Sequence, residues 1–519
     1  MGTTQNSRGR SGKGQVSCLM FRPLSREIME PNILAKDLKH YPHFDRRLSI
    51  KEAREIVSDP ARVASNKFFP FFLYHETWQP FRISDKGRPK PKTRPIRYAA
   101  RRDAYILTYY RRILSEKYEE RLRELGIEEC PIAYRKIQKS NGCGKCNIDF
   151  AKDAFDEIEE HGNCVAVALD IKGYFENLDH TRIKKVWCDL LRVERLPPDH
   201  FTVFKNITRY HVVDQKEAYR RLGFIENHEI NGYWRECYTT TYKEMPTQLC
   251  TPAEFRAKIC GGDPKLPSLV KPNCDEEGKL LDHGVPQGAP ISDLIANFYL
   301  LEFDVALNRY ANEKGGRYMR YSDDILLIIP SAATNPDEVE KFAVNEIKKY
   351  GKAIHIKETK TCIVQFARLN DRLTFKHVRG PQGKNGFEYL GFRFDGKFVY
   401  VRDSTISRLY RKVSISAKRV AIGFANAHFD KNAPQILASF NYSNFNQRFS
   451  RVHTDKFSPD DYRTWTFYSY LKRASETFGA RGAPILPQAR NFNMIMKKRI
   501  EKAIVQAVAR RDRTKSFEK

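Results

Sequence analysis

Long hydrophobic runs are missing from this sequence. The longest, such as "ILLIIP" at 325–330, fall far short of the roughly 20 apolar residues that a membrane-spanning helix needs. The opening "MGTTQNSRGRSGKGQ" has no apolar core, so no signal peptide is expected there. Asn6 also stands where a myristoylation site needs Ser or Thr. Acidic residues are short as well: 63 Asp and Glu face 91 Lys and Arg, a formal net charge of +28. That imbalance points to polyanionic partners, nucleic acid before an anionic membrane, and the missing apolar runs leave no support for the membrane. A second metal-type cysteine pair is absent too. Cys143 and Cys146 in "NGCGKCNI" have CxxC spacing, but neither another CxxC nor an HxxxH follows. No zinc site is expected unless Cys130, Cys237, Cys250, Cys260 and Cys274 fold together. Eleven cysteines, an odd number with no export signal, read as reduced thiols of a cytoplasmic protein. No internal repeat is present.

What is there suits a large globular chain. The 519 residues are 41% hydrophobic, enough for two to four packed units. Residues 1–15 read as a disordered basic tail. Residues from about 45 to 80 look helical, with an aromatic cluster in "NKFFPFFLYHETW". "FRISDKGRPKPKTRPIRYAA" (81–100) has the Pro/Gly punctuation of a hairpin. Residues 81–110 hold nine Lys/Arg against two Asp/Glu. Helical periodicity follows over 103–125. "CVAVALDIKGYF" (164–175) reads as a buried strand with Asp170 at its exit. Residues 293–311 read as one helix with an Asn/Asp-rich outer face. Beyond 401, Ile406, Leu409, Tyr410, Val413, Ala417, Val420 and Phe424 recur at helical spacing, with Asp403 or Ser404 as N-cap. Residues 401–519 carry 24 Lys/Arg and nine Asp/Glu, more than half of the surplus charge. Interleaved with Tyr442, Tyr462, Trp465, Tyr468 and Tyr470, this basic helical region suits a phosphate backbone with stacked bases. A solvated helical face over core aromatics is the alternative.

The sharpest feature is "RYMRYSDDILLIIP" (317–330), two strand-like stretches joined at Ser322–Asp323. Asp323 and Asp324 lie between segments that want burial, and buried charge is costly without a partner. The other DD pair, Asp460–Asp461, follows Ser458–Pro459 at a helix start, where acidic residues favour the helix dipole. Asp323 and Asp324 have no such excuse. With Asp170 they could share two Mg²⁺ ions about 3.5–4 Å apart, one activating a hydroxyl and one clamping phosphates. Spacing alone leaves a structural turn open.

Seven segments in order resemble the reverse transcriptases. "ALDIKGYFENLDH" (168–180), "GVPQGAPISDLIANFYL" (284–300) and "YSDD" (321–324) resemble motifs A, B and C. "KTRPI" (92–96) and "AYRK" (133–136) resemble the fingers, "IHIKETKT" (354–361) motif D, and "FEYLGFRFDG" (387–396) the primer grip. The resemblance covers roughly residues 80–400. It implies an α+β right-hand polymerase: N-terminal helices and fingers over 16–160, a palm with an antiparallel sheet over 161–400, and a basic helical thumb and extension over 401–519. It implies RNA-directed DNA synthesis from dNTPs with two Mg²⁺, or Mn²⁺ in their place. Asp170, Asp323 and Asp324, with the backbone at Ile171, would hold the metals. Phe175 would exclude a ribose 2′-hydroxyl. Lys92, Arg94 and Arg135 would bind triphosphate, and Gln287 and Gly288 would lie beneath the incoming nucleotide. Lys360 would donate a proton to pyrophosphate. Tyr389, Leu390, Gly391 and Phe392 would form the primer grip.

Within that family, "HFDRRLS" (43–49) and "AYRK…SNGCGKCNIDFAKDAF" (133–155) look most like the defence-associated bacterial enzymes. That implies a dedicated noncoding RNA as template, a cDNA product and an antiviral role, with a homo-oligomer open. Group II intron or other mobile-element enzymes, template-independent synthesis and a non-catalytic RNA-binding scaffold are the alternatives. About a hundred residues separate Asp179 from Gly284, more than the family commonly has, so an insertion in the palm near 205–280 is expected.

Overall fold

Capping chemistry begins the architecture where the sequence supplies it. Ser49 accepts a hydrogen bond from Glu52 N at 3.2 Å and Asp59 from Ala61 N at 2.9 Å, starting α1 (Ile50–Val57) and α2 (Pro60–Ala64). The computed structural model describes residues 33–78, 91–140, 142–230, 232–381, 385–447, 449 and 466–517. The basic tail, the hairpin stretch 81–90, Asp460–Asp461, Tyr462 and Trp465 lie outside them.

Helix stops sooner than expected before residue 80. α2 ends at Ala64 with Ser65 as its C-cap, and β1 (Phe71–Trp78) pairs antiparallel with β2 (Lys92–Tyr98). Next come α3 (Arg101–Leu125), α4 (Asn147–His161) and β3 (Cys164–Asp170). They are followed by α5 (His180–Leu191), α6 (Pro198–Thr208), β4 (His211–Asp214) and α7 (Gln215–Arg221). A hairpin of β5 (Ile225–Ile230) and β6 (Tyr233–Tyr238) precedes α8 (Pro252–Glu254) and β7 (Lys271–Pro272). The stretch near 205–280 joins the sheet of β1 and β2. β4 pairs parallel with β1 and antiparallel with β7, so the first sheet runs β2-β1-β4-β7. Phe44, Phe72, Val213, Tyr219 and Ile259 bury together in a core of their own, which fastens the segment to β1.

The single helix read over 293–311 is two, α9 (Ser292–Tyr299) and α10 (Leu301–Glu313), broken at Leu300. Its Asn/Asp face is not outward: Asn297 and Asp304 are fully buried because polar partners meet them inside. β8 (Arg317–Tyr321) and β9 (Asp324–Pro330) form the hairpin read from the sequence. After α11 (Pro336–Ile347), β10 (Cys362–Leu369) and β11 (Arg372–Arg379) complete an antiparallel sheet ordered β11-β10-β3-β9-β8. Both of its faces are buried. Val165, Val167, Leu169, Leu327 and Ile329 face one core, and Ala166, Leu326, Ile328, Val364 and Phe366 the other. That burial on both sides explains why β3 and β9 are apolar throughout rather than alternating.

β12 (Phe387–Tyr389), β13 (Phe392–Phe394) and β14 (Val399–Val401) make a small separate sheet. The C-terminal helices are α12 (Asp403–Ala427), α13 (Ala433–Ser439), α14 (Tyr442–Gln447), α15 (Phe467–Phe478) and α16 (Phe492–Phe517). Leu409, Val413 and Ala417 of α12 bury against Met496, Ile500 and Ile504 of α16. The N-cap of α12 is Arg402, not Asp403 or Ser404. Asp403 opens the first turn instead, where its charge still suits the helix dipole.

Candidate active site

Strand register brings two of the carboxylates face to face. Asp170, last residue of β3, is the direct partner of Asp324, first residue of β9. Asp323 lies in the two-residue turn between β8 and β9, where Ser322 adopts a left-handed backbone at φ 61°. Ile171 N donates to Asp323 O at 3.0 Å, fastening the end of β3 to that turn. Lys357 N donates to Asp170 O at 2.7 Å, and Lys172 N to His355 O at 3.0 Å. The "IHIKETKT" segment is thereby stitched to the same strand end, and Lys360 Nζ forms an ion pair with Asp170 Oδ2.

Electrostatically the three carboxylates oppose one another. Asp323 is pushed above the usual carboxylate range by burial, then by the charge of Asp170, against the pull of Lys360 and Arg94. Asp324 is recessed among protein atoms although solvent reaches it. Its carboxyl is pushed up to about 7, by lost hydration first and by Asp323 and Asp170 next. Such a group lacks positive charge. Among the described residues no three His, Cys, Asp or Glu side chains close a metal cage. The oxygen-only donors nevertheless fit a hard cation such as Mg²⁺, which keeps waters and takes substrate phosphates for its remaining ligands.

The floor of the site joins three segments. Val285 N donates to Phe175 O and Gly284 N to Leu178 O, each at 2.8 Å. Phe175 itself is half-buried against the main core. Gln287 O accepts from Arg97 N of β2 at 2.7 Å. At Gly288 (φ +110°) a Cβ would lie 2.7 Å from Arg97 O, so only glycine allows this turn to touch the hairpin strand. On the same strand Arg94 lies 5.6 Å over the Trp78 ring and close enough to pull on Asp323. Lys92 is exposed at the start of β2.

The Tyr389–Phe392 hairpin also reaches this region. Leu390 (φ 44°) and Gly391 (φ 94°) make its turn. Asn147 Nδ2 donates to Leu390 O at 3.1 Å and Arg402 N to Gly391 O at 2.9 Å. Tyr389 is buried near enough to Asp324 to feel its charge.

Arg135 is engaged by neighbouring protein groups. Its guanidinium is 4% exposed and bound to Glu119 at 2.6 and 2.8 Å and to Pro131 O at 2.7 Å. With a further bond to Glu128 O, four of its five N–H groups are engaged by α3 and the loop that follows it. Three neighbours were not anticipated. Arg97 lies over Tyr210 at 5.5 Å, its Nη1 3.9 Å from Glu176 Oε1 in an ion pair and its Nε buried without a hydrogen bond among the described residues. Tyr134 (φ 58°, 45% exposed) stands 6.3 Å from Tyr321. Arg320 is buried directly beneath the turn. Only Arg320 left a signal, as a charge inside an otherwise strand-like run.

The family model described as "Reverse transcriptase (RNA-dependent DNA polymerase)" matches residues 204–394. It takes in Asp323, Asp324, Gln287, Gly288, Lys360 and the Tyr389–Phe392 hairpin; Asp170 joins them through strand register. No curated protein matches the chain. Among solved structures, apo telomerase from Candida tropicalis is similar at 14% identity and a TM-score of 0.35, over 86% of this chain and 64% of that one. Telomerase from Candida albicans, in complex with a TWJ fragment of telomeric RNA, is similar at 12% identity and a TM-score of 0.34, over 87% and 67%. The RNA-dependent RNA polymerase of a human picobirnavirus gives 10% identity and a TM-score of 0.30, over 59% and 43%. These likenesses are distant, and the chain spans about two thirds of the telomerase chains, 64% for the first. Residues 204–394 match the model of a reverse transcriptase domain, and the enzyme class that this match indicates is RNA-directed DNA polymerase, a nucleotidyltransferase.

Proposed function

We propose that the chain extends a 3′-hydroxyl with deoxynucleotides on an RNA template, and that this template is a dedicated noncoding RNA copied into cDNA for bacterial antiviral defence in the cytoplasm. The observation that carries the polymerase reading is the Asp170–Asp324 register pair with Asp323 in the adjoining turn. Apolar side chains would serve this fold better than three repelling carboxylates, so they are there for a cation.

Asp170, Asp323 and Asp324, with the Ile171 backbone, would hold Mg²⁺, or Mn²⁺ in its place. Divalent ions bound there would supply Lewis-acid activation of the hydroxyl and charge neutralisation at the phosphates. The chain's own residues do the rest. The 3′-oxygen bonds to the α-phosphorus of a dNTP while the bond to the β-phosphate oxygen breaks and pyrophosphate leaves. Lys92 and Arg94 on β2 bind the triphosphate by charge-assisted hydrogen bonds. Phe175 occupies the space that a 2′-hydroxyl would need. Gln287 and Gly288 support the incoming nucleotide against β2, and Tyr389, Leu390, Gly391 and Phe392 hold the primer end. Lys360, paired with Asp170 without substrate, donates a proton to the departing pyrophosphate.

The noncoding-RNA and defence reading is supported by the resemblance of "HFDRRLS" and the 133–155 segment, and by the basic C-terminal quarter. The test is to purify the protein with its accompanying nucleic acid, add Mg²⁺ and labelled dNTPs or rNTPs, and sequence the product. A single recurrent cDNA copied from one co-purified RNA supports the reading. Intron-derived RNA would move the chain to the mobile-element enzymes, and product unrelated to any RNA present would mean untemplated synthesis.

A further inference from the structure

Beneath the catalytic turn lies an ion pair with no solvent exposure on either side, Arg320 with Asp304. Arg320 Nε and Nη2 donate to the two Asp304 oxygens, each at 2.6 Å, and Tyr318 OH donates to Asp304 Oδ1 at 2.7 Å. Two further donors reach backbone. Nη1 donates to Ser322 O at 3.1 Å and Nη2 to Asn297 O on α9 at 3.0 Å.

Folding does not call for this pair. Taking both charges out of water costs about what their attraction returns, and apolar side chains of similar volume commonly serve stability as well or better. What apolar side chains cannot do is present planar N–H groups to two carbonyls at once. One of those carbonyls belongs to Ser322, whose left-handed backbone persists only where its surroundings over-determine it. The other belongs to the helix that follows Gln287 and Gly288. The backbone of Arg320 is pinned too: its N donates to Cys130 O at 2.8 Å, and its O accepts from Ile132 N at 2.9 Å. Asn297 Nδ2 closes the circuit by donating to Ala133 O at 2.6 Å.

We propose that Arg320 is a positioning residue that fixes the Asp323 turn against α9, and that Asp304 serves to hold its guanidinium in place. The carboxylate separation that a divalent ion meets is then set from behind the turn. The proposal rests on the polymerase reading for its rate measurement, and Mn²⁺ affinity followed by electron paramagnetic resonance gives a readout that does not.

The test compares wild type with Arg320→Lys and with the apolar triple Arg320→Met/Asp304→Leu/Tyr318→Phe. The triple variant is expected to melt within a few degrees of wild type or above it. Both variants should lose about 10–100-fold in Mn²⁺ affinity and in incorporation rate at saturating dNTP, the range found when groups supporting metal ligands are removed. The KM for dNTP should stay within about twofold, because the loss lies in the chemical step. A folded variant with wild-type Mn²⁺ affinity and rate overturns the proposal. Unfolding of both variants overturns it as well, since the pair would then be a folding element. If wild type fails to incorporate nucleotides, the polymerase reading is at fault and Mn²⁺ affinity alone decides this one.

Discussion

Arg135→Ala is expected to lower stability by about 1–3 kcal/mol, the range for losing charge-assisted hydrogen bonds to a half-exposed partner, and to leave the KM for dNTP unchanged. Thermal melting beside steady-state kinetics checks both halves. "AYRK" placed a cation close to the site, but nothing in the sequence said that Glu119 and the Pro131 carbonyl would take it. The half-buried Phe175 ring packs against the main core, and its carbonyl accepts from Val285 N. Phe175→Ala is expected to raise ribonucleotide incorporation relative to deoxynucleotide by roughly 10–200-fold, the range for steric discrimination in an apolar pocket. Competition between rNTP and dNTP on one primer measures it.

His43 carries a pH dependence. Burial, then the charge of Arg101, lowers its pKa to about 3 from the ordinary 6.5. Below 6.5 the unfolded chain takes up a proton that the native state refuses. The stability it contributes is therefore complete above pH 6.5 and drains as pH falls toward 3, by at most about 1.4 kcal/mol per unit. His43→Phe, which fits the Phe44, Phe72 and Tyr98 rings around it, should flatten melting temperature against pH between 7 and 5.

At the scale of elements, the Gln287–Gly288 turn touches β2 closely. Gly288→Ala would drive a methyl against Arg97 O in a backbone conformation that alanine resists. It is expected to cost at least tenfold in incorporation rate, about 1.4 kcal/mol, with a smaller effect on melting. β3, the β8–β9 hairpin and α12 were all legible, because apolar runs, a turn dipeptide and helical spacing are local signals. The break at Leu300 was not, nor the burial of Asn297 and Asp304. That burial depends on partners outside the helices, the Ala133 carbonyl and the Arg320 guanidinium, which periodicity cannot see. The attachment of β4 to β1 is a parallel pairing across more than a hundred residues, so the segment's length was readable and its docking place was not.

Across the whole molecule, charge sorts from chemistry. Asp170 and Asp324 end two interior strands of the palm-type sheet, while residues 401–519 hold more than half of the +28 surplus. Lys412, Lys418 and Arg419 are exposed along α12. Replacing all three with Gln should weaken RNA binding and reduce the slope of log affinity against log salt by about one per cation. Filter binding from 50 to 200 mM salt would show it, with the incorporation rate at saturating RNA unchanged.

The most direct measurement is single-turnover extension of a DNA primer on an RNA template with Mg²⁺ and dNTPs, wild type beside Asp323→Asn. The expected result is extension by wild type and a loss of roughly 1,000-fold or more, about 4 kcal/mol of transition-state stabilisation, in a variant that melts at or above the wild-type temperature. A folded Asp323→Asn variant that extends the primer at the wild-type rate would contradict the account, because the paired carboxylates would then have no part in the chemistry.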